Sequence, residues 1–174
     1  MLVSIVRRVT LDASADAAWR VIAEQFDQVD RWASDVHRAT SRPGAAAHPA
    51  AADAPVAGRA CATPLGPVEE SIVLYDAQTR TLAYEAEAPD MPFFVRGLRN
   101  RWTVTEIDRG RTQVQTRVTV DLMAPFGWVM GPLMKRQIGK LLSTAVDDLK
   151  VYVETGRPHP RNGAAADSAQ RAAA

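Results

Sequence analysis

The sequence predicts an α+β domain in which a curved, seven-stranded antiparallel sheet folds around one long C-terminal helix, with two short helices after the first strand. Three observations carry this. Short segments of alternating apolar residues recur between Val56 and Leu122, turn residues separate neighbouring segments, and the pattern then changes to a helical stripe ending at Val153. A curved sheet around a single helix leaves apolar space between them, a natural place for a small hydrophobic ligand.

Val3, Ile5, Val9 and Leu11 alternate with Ser4, Arg8 and Thr10, which defines the first strand; Arg7 breaks its apolar face and is expected at a fraying end. Ser14 is a suitable N-cap, and Ala18, Trp19, Ile22, Ala23 and Phe26 then recur at helical spacing, giving a helix of about three turns. A second short helix is predicted over 26–32 and an extended segment over 35–40. Residues 42–55 hold three prolines, one glycine and seven alanines with no apolar period, and read as a flexible connection.

Strands are predicted at 56–62, 68–75, 81–87, 98–107 and 112–122, with turns at 76–80 and 108–111. The last strand is the clearest, since Val114, Thr116, Val118, Val120 and Leu122 alternate with polar residues. Pro132 is placed in a first helical turn, where its missing N–H costs nothing. Met134, Ile138, Leu141, Leu142, Ala145, Leu149 and Val153 form the stripe of the long helix, and Gly156 and Pro158 end it. One domain over 1–155 and a disordered tail over 156–174 are expected.

A formal charge of +1, from 21 basic and 20 acidic residues, supplies no global field for nucleic acid, so no such partner is expected. Cys61 is the only cysteine, which rules out an internal disulfide and fits a reducing compartment. The N-terminal residues lack the apolar core of a secretory signal, and no apolar run reaches membrane-span length, so the expected location is the cytoplasm. No zinc-protease helix, phosphate loop, nucleophile elbow or dinucleotide fingerprint occurs. His48 and His159 lie in low-complexity stretches and His37 stands alone in its segment, so neither metal nor cofactor is expected.

The candidate ligand-binding residues are Arg59, Cys61, Glu70, Tyr84, Asn100, Trp102, Val118, Ile138 and Leu142; no catalytic residue is assigned. Arg59 and Cys61 stand two apart and face the same side, with Glu70 in cross-strand reach. Turned inward, Arg59 and Glu70 would have to pair and could orient a ligand carbonyl or carboxylate. The reading favoured by the sequence is a solvent-side pair, because alternation over 68–75 does not fix the inward face. Cys61 lacks a neighbouring base and reads as a small buried hydrophobe. Tyr84 shares its face with Leu82 and Ala86, and Trp102 with Asn100 and Val104, so either can be a cavity wall or ordinary core.

In an antiparallel meander the turn at 63–67, the loop at 89–97 and the crossing at 124–131 share one end. Phe93, Phe94, Phe126 and Trp128 therefore gather there. They are read either as plain packing or as the mouth of the cavity, opening against a membrane or a partner. Arg96, Arg99 and Arg101 could give that end a basic rim for an acidic headgroup; a solvated charge run is the plainer alternative.

The order of elements, the opening stretch from Val9 to Ile22 (VTLDASADAAWRVI), and the segments Gly58–Cys61, Glu70–Asp76 and Leu82–Tyr84 together resemble the START-like, helix-grip (SRPBCC) superfamily. They are most similar to its bacterial polyketide cyclase/dehydrase and lipid-transport group. The resemblance covers about residues 2–155 and implies a helix-grip fold around a hydrophobic cavity. It implies no single activity, since members include cyclases, lipid and sterol carriers, hormone-binding proteins and chaperone cofactors. The stretch 42–55 lengthens the usual connection, and no complete set of cyclase residues is found. Three functions are expected in order: binding, carriage or sequestration of a hydrophobic small molecule; a polyketide cyclase/dehydrase-type enzyme that moves a proton; and a partner-binding module docking through Phe93, Phe94 and Trp128.

Overall fold

The computed structural model describes residues 1–42 and 46–162. In chain order the elements are β1 (Leu2–Leu11), α1 (Ala15–Trp19), β2 (Arg38–Ser41), β3 (Gly58–Thr63), β4 (Gly66–Asp76), β5 (Thr81–Glu87), β6 (Val95–Asp108), β7 (Arg111–Leu122) and α2 (Phe126–Thr155). The seven strands form one antiparallel sheet in the order β1-β7-β6-β5-β4-β3-β2, gripping α2 as predicted. The alternation in β7 is translated directly into burial: Thr112, Val114, Thr116, Val118, Val120 and Leu122 are all buried. The two inward threonines are satisfied, Thr112 Oγ1 donating to the Ala13 carbonyl at 2.7 Å and Thr116 Oγ1 to Asn100 Oδ1 at 2.7 Å.

Ser14 caps α1 as expected, its side chain accepting from the Ala17 N–H at 3.2 Å. The expected helix runs from Ala15 to Glu24, but only its first half is α-helical. After Trp19 the chain widens into a π-helical stretch, Arg20–Glu24, closed by Gln25 N–H donating to the Arg20 carbonyl, and then tightens into a 3-10 stretch, Phe26–Arg31. Ala18, Trp19, Ile22, Ala23 and Phe26 nevertheless all reach the core.

Two further expectations are corrected. α2 begins at Phe126, so Pro132 lies inside the helix rather than in its first turn. Pro132 cannot donate to the Trp128 carbonyl, but this interruption falls on an exposed stretch, with Trp128 and Val129 each 78% exposed. Arg7 is not at a frayed end: it pairs with Thr116 within β1 and β7, and its Nε donates to Ser143 Oγ on α2 at 2.9 Å.

The seating of α2 explains where space is left. A Cβ on Gly127 would lie 3.0 Å from Met1 Sδ, and one on Gly139 would lie 2.8 Å from Arg7 Nη2. Bare backbone at these positions lets the helix settle closely onto β1, and Val3, Ile5, Val118, Val120, Leu122 and Leu142 pack there as one cluster, with Met134 and Ile138 against it. A second, larger cluster joins α1 and the segments after it to β4, β5, β6 and β7. Between the two, away from β1, the sheet and α2 diverge.

Residues 46–55 contain a 3-10 turn, Pro49–Ala51, with Ala51 buried against the larger cluster; residues 43–45 of the expected flexible connection lie outside the described residues. Most of the expected tail, residues 163–174, also lies outside them. Its beginning folds back on the domain: Arg161 pairs with the fully buried Asp148 at 2.8 Å, and Asn162 Nδ2 donates to the Trp32 carbonyl at 3.1 Å. The opposite oxygen of Asp148 accepts from Ser34 N–H at 2.9 Å and Ser34 Oγ at 2.6 Å.

Candidate functional site

A cavity of about 440 Å³ lies where sheet and helix diverge. Arg59, Glu70, Tyr84, Asn100, Trp102 and Leu142 line it. β3 presents Arg59 and β4 presents Glu70 at register partners, so the two side chains meet across the ladder. The solvent-side reading of this pair is overturned. Arg59 is 6% exposed, and its Nε donates to Glu70 Oε2 while Nη1 donates to the Phe26 carbonyl at 2.6 Å. The guanidinium also stands 3.9 Å from the centroid of the Phe26 ring. Burial works against the charge of Arg59, but the Glu70 carboxylate, with smaller contributions from Tyr84 and Cys61, holds its pKa above the ordinary value.

Tyr84 on β5 and Asn100 on β6 are register partners facing the same cavity. Thr116 donates to Asn100 Oδ1, Asn100 Nδ2 donates to Tyr84 Oη at 2.9 Å, and Trp102 Nε1 approaches the same oxygen at 3.5 Å. The phenol thus receives hydrogen bonds from both neighbours and keeps its own proton to give. Burial, then the nearby Glu70 charge, pushes its pKa up to about 12, so at neutral pH it acts as a hydrogen-bond donor. The walls around these groups are apolar: Ile22, Phe26, Val29 and Trp32 from the segment after β1, and Leu141 and Leu142 from α2.

A family model described as polyketide cyclase / dehydrase and lipid transport matches residues 3–154. The chain belongs to this family. No curated protein matches it. Among solved structures, this cyclase/dehydrase and lipid-transport family member is similar to a putative uncharacterized protein from Bacillus thuringiensis, at 16% identity and TM-score 0.69, covering 86% of this chain and 98% of the other. It is also similar to a START superfamily protein from Mycobacterium smegmatis, at 16% identity and TM-score 0.66 over 87% and 97% of the two chains. A norcoclaurine synthase point mutant from Thalictrum flavum, in complex with a transition-state analogue, aligns at 14% identity and TM-score 0.67 over 88% and 94%. At these identities the likeness is one of fold.

Three sequence candidates do not line the cavity of this family member. Cys61 is buried in the larger core cluster, and burial pushes its thiol up from 9.0 to about 11 despite the nearby Arg59. Val118 is buried in the cluster that seats α2 on β1, and Ile138 packs against it. The residues expected at the mouth, Phe93, Phe94, Phe126 and Trp128, are also absent from the lining. Phe93 and Phe126 instead stack edge to face at 5.2 Å, while Thr63, Pro64 and Leu65 of the β3–β4 turn border the cavity with Asp35, Val36 and Leu141. The opposite wall, Phe26, Val29, Trp32 and Ala33, was missed by the sequence reading, although its apolar spacing within the second short helix was the available signal.

Proposed function

We propose that the domain over 1–155 binds a mostly apolar small molecule, of lipid or polyketide type, in this cavity and carries or sequesters it in the cytoplasm. The supporting observation is a cavity of about 440 Å³ with aromatic and aliphatic walls and one compact polar corner, formed by Arg59, Glu70, Tyr84 and Asn100. That volume falls within the roughly 300–1,000 Å³ of small-molecule sites, and few convergent polar groups in an apolar lining favour an oily ligand with one polar end. The Tyr84 hydroxyl is suited to a carbonyl or hydroxyl oxygen on that end, and Arg59, committed to Glu70 and Phe26, sets the position of the corner. A carrier must also meet the source of its ligand, and transient membrane contact belongs to the same reading.

Native mass spectrometry of the protein purified from its source tests this directly. A retained small-molecule mass supports the proposal. It is overturned if the protein carries none and also fails to bind a fluorescent fatty acid, with Ala145→Phe, which would fill the cavity, as the control.

A second reading, a cyclase/dehydrase-type enzyme, is favoured by the presence of a carboxylate and a phenol on one cavity wall. A carrier keeps binding its ligand, with altered affinity, in Tyr84→Phe and, at a cost in stability from the uncompensated Arg59, in Glu70→Gln. An enzyme depending on either group loses turnover in that variant while still binding substrate.

A further inference from the structure

We infer that the outward face of the first half of α2, together with Phe93, is a docking surface for an anionic lipid bilayer. α2 presses its glycine-bearing side onto β1, so the opposite side faces outward. With about 3.6 residues per turn, Val129 and Leu133 fall on that side, 78% and 47% exposed, and Trp128, 78% exposed, lies at its edge. Phe93, 74% exposed, extends the apolar area by stacking on Phe126. Exposed Lys135, Arg136 and Lys140 follow along the same helix, and no acidic residue occurs from Phe126 to Val146. None of the three cations has an ion-pair partner among the described residues.

Exposed Trp and Phe beside unpaired Lys and Arg on one helix is the arrangement that lies in a membrane interface, with rings among the headgroups and cations on the phosphates. No helix among the described residues is long and apolar enough to cross a membrane. A second copy fits poorly, because two such faces would bring six unpaired cations together. Leu141, on the next turn, is part of the cavity border, so a docked helix would hold that border at the lipid surface. This purpose rests on the proposed carriage; the docking itself does not.

Trp19, Trp32 and Trp102 are buried, so Trp128 is a built-in reporter. Full-length protein is titrated with phosphatidylcholine vesicles, with and without phosphatidylglycerol, while emission and co-sedimentation are followed. The expected result is a blue shift and sedimentation with the anionic vesicles only, weakened by salt. Lys135→Glu with Arg136→Glu should lower the partition coefficient about tenfold or more, and Phe93→Ser with Leu133→Ser should abolish the shift, both variants remaining folded by circular dichroism. Ala145→Phe should leave vesicle binding unchanged, which separates docking from cavity occupancy. Failure of the wild type to bind anionic vesicles overturns the inference. So does binding that ignores lipid charge and both surface variants, or a concentration-dependent dimer that shifts Trp128 emission without lipid.

Discussion

Arg59 sets the polarity of the interior, and its neighbours carry the first two predictions. Glu70→Ala leaves a buried guanidinium without its carboxylate, a loss of about 3 kcal/mol that chemical denaturation would read. Cys61 and Tyr84 carry a second effect, at alkaline pH. Both bind their protons more tightly folded than unfolded, so their contribution is complete below the unfolded pKa and is lost as pH rises through the folded one. For Cys61 that window runs from 9.0 to about 11. Denaturation midpoints should therefore fall across it, and Cys61→Ala should flatten the fall by up to roughly 2–3 kcal/mol. The inward direction of Glu70 was not legible in the sequence for a definite reason. The β4–β5 register shifts between Ile72 and Leu74, so Val68, Glu70 and Ile72 face inward but Tyr75 continues that face one residue out of step.

Elements were more legible than contacts. The strands of the meander follow from alternation and turn residues, and β5 coincides with its predicted range. The start of α2 was hidden because a proline early in a helical stripe reads as a first turn, whereas Gly127 and Gly131 read as loop residues. The service of Gly127, admitting Met1 and Leu122 against the bare backbone of the helix, depends in part on a residue far away in sequence. Gly58 is constrained in the same way within the sheet: a Cβ there would lie 2.2 Å from the Glu70 carbonyl oxygen. Gly58→Ala must push β3 away from β4 just where Arg59 and Glu70 meet. The expected cost is about 2–3 kcal/mol, seen as a lower Tm, together with weaker probe binding in the cavity.

At the scale of the molecule, the cavity wall is fastened by a carboxylate outside the cavity. Asp148 on α2 joins Ser34 to Arg161, and Ser34 lies among the cavity-lining residues Trp32, Ala33, Asp35 and Val36. Asp148→Ala should destabilise the protein by about 3 kcal/mol and speed release of a cavity-bound fatty-acid probe in stopped-flow measurements. The sequence disclosed the space between sheet and helix but not this fastening, since nothing local in Asp147 and Asp148 distinguishes a solvated acid from a buried one.

The sheet order has a consequence for how the protein is made. Leu11 pairs with Thr112 and Leu2 with Asp121, so β1 has no strand neighbour until about 100 further residues have been translated. At ordinary elongation rates that delay is on the order of ten seconds. During it the nascent β1 leaves Val3, Ile5 and Leu11 without the strand against which the fold buries them, open to whatever holdase is at hand.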